Sequence, residues 1–403
     1  MNFLDGLLIV DLSRVLAGPL CTMRLADWGA RVVKIESPKG DATRRFGPPF
    51  VKGESSYFMA YNRGKESLVL DLRTEFDCEV LNRLIEKADV LVENFRDGVM
   101  DQMGLSLKRQ QALNPRLVSL TISGYGTQTT RRHEGAFDLA IQAETGLMAM
   151  TGPEDQAGET CRVPFSAADV AAGMAASEAV LAALVGLERR GGAAGFCHLE
   201  VSLFDSLMSF LGFQAQATLL TGKDPKRMGH RHPNLVPYQI FETRDGALVL
   251  AIATDEAWRR FLKIDGVPAD MNREEWSRNG DRVGQRHELV PAVEKVLLSK
   301  STEEWKIALD AADIPVGRLR GVSDALEELR RRHDGFLRTA AHATLGEMAV
   351  LGRAARLNGG PGPCLSAAPV LNQHGEAILN EFANDAAERC HWRRQWSQKE
   401  TLS

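Results

Sequence analysis

The stretch LLIVDLSRVLAGPLCTMRLADWGARVVKIES, residues 7–37, decides the fold. Its ends, LLIVDLS (7–13) and RVVKIES (31–37), are short apolar, β-branched runs of the kind that form buried strands. Between them LCTMRLADWGA (20–30) carries a helical pattern. Strand, helix, strand over this length is a βαβ unit, in which the strands run parallel. The alternation continues. ESLVLDL (66–72), DVLVENF (89–95) and LVSLTISGYG (117–126) read as strands. TEFDCEVLNRLIEKA (74–88) reads as an amphipathic helix with Phe76, Val80, Leu81 and Leu84 on one face. The expected fold class is therefore α/β: a parallel, Rossmann-like sheet with helices on both faces. Function in such sheets gathers beyond the carboxyl ends of the strands. Those ends are SRVLAGP (13–19), ESPKGDATRR (36–45), ENFRDG (93–98) and SGYGTQTT (123–130), all polar or glycine-bearing.

Further along, helices are expected over 138–150, 168–190 and 203–220, with a strand HLEVSL (198–203) between the last two. TGKDPKRMGHRHPNLVPYQ (221–239) is basic, aperiodic and contains three prolines, so it reads as a linker. A smaller α+β unit follows to about 325. It opens with a hairpin around Asp245-Gly246 and continues with helices near 255–264, 287–299 and 302–312. PGPCLSAAPVLNQHGEAILNEF (361–382) is a proline-rich loop leading into a terminal helix.

The chain has 403 residues, 44% hydrophobic and 25% charged, with a formal net charge of -4. That gives no basic footprint for nucleic acid and no polybasic membrane patch. The N-terminus lacks the pattern of a signal peptide. The helix within 161–190, rich in Ala, Gly and Ser, reads as core rather than as a membrane span. Six cysteines (21, 78, 161, 197, 364, 390) stand apart without CxxC or a Cys/His cluster. They point to reduced thiols, a cytoplasmic location and no metal site. RRGGAAGF (189–196) follows a helix rather than a strand, so it reads as a helix stop. No GxGxxG follows a strand, and no GxxxxGK[ST] or GxSxG occurs. Nicotinamide, P-loop and α/β-hydrolase chemistry thus lose their usual sequence support.

One acid, Asp169, heads the apolar helix in FSAADVAAGMAAS (165–177). Two readings stand side by side. Asp169 caps the helix, since Asp accepts helix N–H bonds well. Or it is a nucleophile, ionised and fixed in direction, with small neighbours that leave room for a bulky ligand.

Eight collinear motifs then resemble the class III CoA-transferases. They are VLAGPLCTMRLADWGARVVKIESPKGDATR (15–44), YNRGKESLVLDL (61–72), LVENFRDGVMDQMGL (91–105), SGYG (123–126), FDLAIQAETGLMAMTG (137–152), ADVAAGMAASEAVLAAL (168–184), RMGHRHPNLVPYQIFETRDG (227–246) and APVLNQHGEAIL (368–379). The resemblance implies the family fold and an interlocked homodimer. It implies a large CoA-binding domain over 1–224, a small domain over 225–325 and a segment, 326–403, returning to the large domain. It makes Asp169 the nucleophile, forming an aspartyl anhydride and then an aspartyl-CoA thioester, and Asp138 an acid acting beside it. Coenzyme A is implied as substrate, with no resident cofactor. It would touch Leu16, Ala17, Gly18, Asn94 and Phe95, with a phosphate on Lys65. Ser37 and Gln102 stand where relatives carry arginine, so Arg44, Arg45 or Arg96 would compensate. The cationic loop Arg227, His230, Arg231, His232 would recognise the second carboxylate of a dicarboxylic acid. That points to succinyl-CoA as donor and itaconate, mesaconate or a similar acid as acceptor. The absent glycine run near 230 argues against formyl or oxalyl substrates. The rival on the same fold is an α-methylacyl-CoA racemase. It needs a histidine where this chain has Phe137, and a phenyl ring cannot carry a proton. A non-catalytic CoA-binding protein is the third reading.

Overall fold

The computed structural model describes residues 2–154, 159–191, 195–360, 362 and 366–400. Gly192–Ala194 of the expected helix stop, and Cys364, lie outside the described residues. The chain divides into two compact units. One comprises Met1–Leu147, Arg162–Lys223 and Arg332–Ser403; the other comprises Met148–Cys161 and Asp224–Arg331. The excursion Met148–Cys161 breaks from a single boundary at 224/225.

The first unit is built on a six-stranded sheet: β1 (Leu8–Asp11), β2 (Arg31–Glu36), β3 (Lys65–Val69), β4 (Val90–Glu93), β5 (Val118–Ser123) and β6 (Cys197–Ser202). Its order is β3-β2-β1-β4-β5-β6 and every pair is parallel. This is a doubly wound sheet, with the strand order reversing between β1 and β4. The helices used below are α1 (Ala17–Ala26), α2 (Ser56–Tyr61), α3 (Glu75–Lys87), α4 (Asp138–Glu144) and α5 (Ala167–Arg189).

The period of two along each strand divides its side chains between two cores. Leu8, Val10, Val33, Ile35 and Leu91 face one, closed by Val80, Leu81, Leu84 and Ile85 of α3. Ile9, Val32, Val90 and Val92 face the other, closed by Ala17, Cys21 and Leu25 of α1 and Ala168, Ala172 and Ala176 of α5. Each such fully buried aliphatic side chain contributes about 1.5–3 kcal/mol. Small residues of α5 also serve packing: Ala168, Ala172 and Ala176 lie in this core. A Cβ at Gly173 would stand 2.7 Å from the Ala17 carbonyl oxygen, so glycine lets α5 cross α1 at backbone contact. Gly18 is equally constrained: a Cβ there would lie 2.2 Å from Cβ of Ser13.

Helix α5 contributes Ala168, Ala172, Ala176 and Val180 to the core, as expected. Its most apolar 18-residue window nevertheless has a mean hydropathy of 1.9, so by length and composition alone it is long and apolar enough to cross a membrane, which its richness in Ala, Gly and Ser did not suggest. Alanine counts as apolar on that scale, and the only charges near the end are Glu188 and Arg189. Two other expected helices are each broken by a glycine at positive φ. Gly146 (φ +83) separates α4 from Leu147–Met150. Gly212 (φ +54) separates Leu203–Phe210 from Phe213–Thr221.

The C-terminal segment belongs to the first unit. Helix Gly375–Phe382 adds Ile378, Leu379 and Phe382 to the α3 core. Ahead of it, Asn372 Oδ1 accepts the Val69 N–H (3.0 Å) and His374 Nδ1 accepts the Ser67 N–H (3.1 Å), covering the free edge of β3.

The second unit holds a three-stranded sheet, Tyr238–Thr243, Gly246–Ala251 and Val316–Arg318, over a core containing Trp258, Phe261, Trp276 and Trp305. Thr243 pairs with Gly246, so the hairpin turn is Arg244-Asp245, one residue earlier than the Asp-Gly signal suggests. Asp245 Oδ1 instead accepts the Thr302 N–H (2.7 Å) and fastens the turn to a neighbouring helix.

Candidate active site

The carboxyl ends of β1, β4 and β5 open onto a cleft of about 800 Å³ in the first unit, at the reversal of strand order. Arg14, Val15 and Ala17 line it from the β1 loop, Asn94, Phe95 and Arg96 from the β4 loop, and Gly135, Ala136 and Phe137 from the approach to α4. Asp169 stands on the same wall.

Asp169 is not a cap. The residue before α5 is Ser166, and Asp169 is the third residue of the helix. No hydrogen bond to its carboxylate is recorded among the described residues. Burial first, and then the negative charge of Asp138, push its carboxyl up to about 7. The helix dipole favours an acid in the first turn. The outcome is a carboxyl group poised between its two forms near neutrality. Tyr57 and Tyr61 of α2 lie close enough to feel its charge. Burial, and with it that charge, raises both phenols above their usual range.

Asp138 places this helix start. It is buried at the head of α4; Oδ1 accepts the Ala168 N–H (2.8 Å), and Oδ2 accepts a hydrogen bond from Gln142 Nε2–H (2.8 Å). Gln142 in turn accepts the Val163 N–H (3.1 Å) and donates to the Phe165 carbonyl (3.3 Å). Asp138 therefore does for α5 what a cap does, from another helix. Gln142, four residues on and thus on the same face, is a partner that the i, i+4 spacing could have revealed.

The β1 loop is held as firmly. Asn94 accepts the Arg14 N–H and donates to the Arg14 carbonyl, both at 2.8 Å. Val15 sits at φ +67, rare for a β-branched residue. Asp41 accepts its N–H (3.3 Å) and pairs with buried Lys34 (3.0 Å). Leu16 and Gly18 are buried behind the loop, and Ala17 reaches the cleft. The Arg14 guanidinium lies 4.7 Å from the Phe95 ring centroid.

Two expected ligand contacts are corrected. Lys65 is fully buried at the start of β3, and its ammonium donates to Asp11 Oδ2 (3.0 Å), the Pro19 carbonyl (2.9 Å) and Asn62 Oδ1 (2.9 Å). Three donors meet three internal acceptors, leaving none for a phosphate. Arg44 pairs with Glu36, donates to the Pro369 carbonyl (3.1 Å) and lies 3.7 Å from the Phe58 ring centroid. Arg45 donates to the Lys39 carbonyl. Of the three suggested replacements for the arginines missing at Ser37 and Gln102, only Arg96 lines the cleft, joined by Arg14 and Arg132. Those two went unsingled because nothing in SRVLAGP or TRRHEG marks which arginine turns inward.

The loop 227–232 belongs to the second unit. There His230 Nδ1 accepts the Ile240 N–H (3.2 Å) and His232 Nδ1 accepts the Asn234 N–H (3.1 Å). Arg231 pairs with Glu154. Arg227 also lies in this unit, with an interaction of its own. The two histidines help to fold their own loop.

A doubly wound sheet with a cleft at its switch point, lined by a near-neutral carboxyl group, is where folds of this class bind ligands. The profile of CoA-transferase family III matches residues 4–375. The chain is 36% identical over 385 residues to the acetyl-CoA:oxalate CoA-transferase of Acetobacter aceti, covering 94% of this chain and 95% of that one. It is 34% identical over 382 residues to the succinyl-CoA:glutarate CoA-transferase of Mus musculus, covering 94% and 86%. A CAIB/BAIF family protein from Brucella suis superposes with a TM-score of 0.82 at 34% identity, covering 94% of this chain and 99% of that one. The chain belongs to CoA-transferase family III and is a CoA-transferase, moving CoA between carboxylic acids.

Proposed function

We propose that the chain transfers CoA from a short dicarboxylyl-CoA, succinyl-CoA being the reference donor, to a small dicarboxylate such as glutarate, mesaconate or itaconate, with Asp169 as nucleophile. The observation that carries this reading is a carboxyl group on the cleft wall with its pKa near neutrality. Asp169 attacks the thioester carbonyl; a C–O bond forms, the C–S bond breaks, and CoA thiolate leaves an aspartyl anhydride. The thiolate attacks the aspartyl carbonyl and the first acid departs as a carboxylate. The acceptor carboxylate then repeats the exchange in reverse order. Water must be kept out, since either intermediate hydrolyses. Val15, which lines the cleft, packs on the same apolar cluster as Tyr57 and Tyr61. The relatives support the acid class, since one acts on glutarate and others on mesaconate. The oxalate enzyme brings oxalate back among the acceptors to assay, despite the missing glycine run. Coenzyme A is a substrate here rather than a resident cofactor. Phe137, 74% exposed at the cleft, stands where a racemase needs its base. Arg227, His230 and His232 are the groups assigned to the second carboxylate of the acid.

After incubation with succinyl-CoA and hydroxylamine, mass spectrometry should find the modification on Asp169. A panel of mono- and dicarboxylates should favour the latter. An unmodified Asp169, with transfer intact in Asp169→Ala, overturns the mechanism; a preference for monocarboxylates overturns the loop assignment.

The working form is proposed to be a cytoplasmic homodimer. Two-thirds of the apolar window of α5 is not buried within the chain. Val185 of that helix, and Phe210, Phe213, Leu219 and Leu220 of the two helices that follow, are 52–80% exposed. A surface so apolar is a contact surface. Leu219→Asp with Leu220→Asp should shift the sedimentation coefficient from dimer to monomer; an unchanged dimer would place the contact elsewhere.

A further inference from the structure

One titratable cluster in the cleft has no part in the chemistry above. Glu93 ends β4, 5% exposed, and lines the cleft. Its Oε2 accepts the Phe95 N–H (2.8 Å), and its side chain is hydrogen-bonded to Thr121. Thr121 is its cross-strand neighbour on β5. Thr121 Oγ1 is 3.1 Å from Nε2 of His198 on β6, and both residues also line the cleft. Carboxyl, hydroxyl and imidazole thus form a chain across three adjacent strands, running from a buried end to an exposed one.

The charges around Glu93 are engaged elsewhere or distant. Arg14 lies over Phe95, and Arg132 faces Asp97 at 3.5 Å. Arg96, Asp101, Glu134 and Asp169 share the cleft; Glu200 lies on the His198 strand and holds Thr127. Among the described residues no cation stands within ion-pair distance of Glu93. A buried carboxylate without a cation is costly, and burial raises its pKa despite the Thr121 and Phe95 hydrogen bonds. The Thr121 hydroxyl keeps Glu93 bonded in either form. It donates to the carboxylate while accepting from His198 Nε2–H. It accepts from the carboxylic acid while donating to unprotonated Nε2.

We infer that Glu93, Thr121 and His198 couple occupation of the cleft by an anionic CoA thioester to uptake of one proton, which ends on Glu93. The inference rests on the cleft being the CoA site. A ligand that displaces water and brings phosphates removes what solvation the carboxylate has. His198 takes a solvent proton on Nδ1 and passes its Nε2 proton to Thr121; the Thr121 proton moves to Glu93. One proton leaves solvent, one O–H bond forms on Glu93, and His198 returns to neutrality with its proton on Nδ1. Affinity for CoA therefore falls as pH rises through the window between the free and bound titrations of Glu93, by up to about tenfold per pH unit.

The test is calorimetric titration of the full chain with coenzyme A, in buffers of different ionisation enthalpy, to count protons. An Asp169→Asn background removes turnover and that residue's own titration. Uptake approaching one proton should vanish in Asp169→Asn/Glu93→Gln and persist in Asp169→Asn/His198→Gln. The ligand's own titration is common to all three. The amide introduced by Glu93→Gln keeps an acceptor for the Phe95 N–H. Should that variant fold poorly, Thr121→Val, which removes the donor favouring the carboxylate, should move the uptake window to higher pH. Binding without uptake, or uptake unchanged in the Glu93→Gln variant, overturns the inference; uptake lost in His198→Gln moves the proton to His198 and overturns it too. Absence of any CoA binding would overturn the reading of the cleft itself.

Discussion

With Asp169 as the proposed nucleophile, Asp169→Asn should abolish CoA transfer, by at least about three orders of magnitude in kcat, and at the same time stabilise the fold at alkaline pH. The first effect follows from the chemistry. The amide has no anionic oxygen with which to open a thioester, and no other carboxylate takes its place. The second follows from linkage. The folded carboxyl titrates near 7, against 3.8 for the ordinary group, so the native state binds its proton more tightly than the unfolded chain does. A raised pKa contributes stability that is complete below the unfolded value and lost as pH rises through the folded one. Wild type therefore carries its full penalty above pH 7, and the asparagine variant does not. Allowing for partial exposure, the gain should be on the order of 1–3 kcal/mol at pH 8, shrinking through pH 5–6 and gone near pH 4. Thermal melts of both proteins across that range, with kcat measured in parallel, check both halves. A variant that is inactive but no more stable at pH 8 than at pH 4 would show that burial of Asp169 stores no such cost.

The sheet was legible because its signal is local. Each strand of 7–37 and its continuation shows a buried, β-branched run, and hydrophobic periodicity suffices to place it. The strand order β3-β2-β1-β4-β5-β6 was not legible, since the crossovers differ widely: β2 and β3 are joined through a hairpin and the short α2, and β5 and β6 through α4 and α5. What the residue pattern could not supply is the direction of a polar side chain. Lys65 in a motif shared with CoA-binding relatives reads like a phosphate ligand. Its strand position turns it inward onto Asp11 and Asn62 instead. Arg44 is diverted in the same way by Glu36, eight residues earlier and on the neighbouring turn of chain. Arg14 lies in a quoted motif yet carries no mark of its own; only the left-handed Val15 and the Asn94 clamp turn it over Phe95. Asp169 was ambiguous for a different reason. Capping and nucleophilic attack ask the same residue type for the same place, and its position three residues into the helix rather than before it excludes only the cap.

Asp138 is the residue at which charge and geometry can be separated. Its carboxylate does two things to Asp169. It holds the Ala168 N–H and Gln142, which fix the helix start, and its charge helps burial to raise the Asp169 pKa. Asp138→Asn keeps an oxygen for the Ala168 N–H and removes the charge. With Asp169 as the proposed nucleophile, the acid limb of the wild-type kcat/KM profile should rise with pH through about 7 as Asp169 ionises, and in Asp138→Asn it should move to lower pH. Activity at pH 8 should fall by no more than about tenfold, since Asp169 is ionised there with or without its neighbour. Asp138→Ala removes both contributions. The Ala168 N–H and the Gln142 amide lose a buried acceptor, at about 1–3 kcal/mol each. The helix start is then free to shift. A displacement of about 1 Å at a nucleophile costs on the order of a hundredfold in rate, so Asp138→Ala should fall that far below Asp138→Asn at every pH. The measurements are pH–rate profiles for the three proteins, with melting curves to exclude global unfolding. If the asparagine variant keeps its limb at the wild-type pH, the charge of Asp138 does not reach Asp169. If alanine and asparagine are equally active, Asp138 does not position the nucleophile, and its role beside Asp169 falls with it.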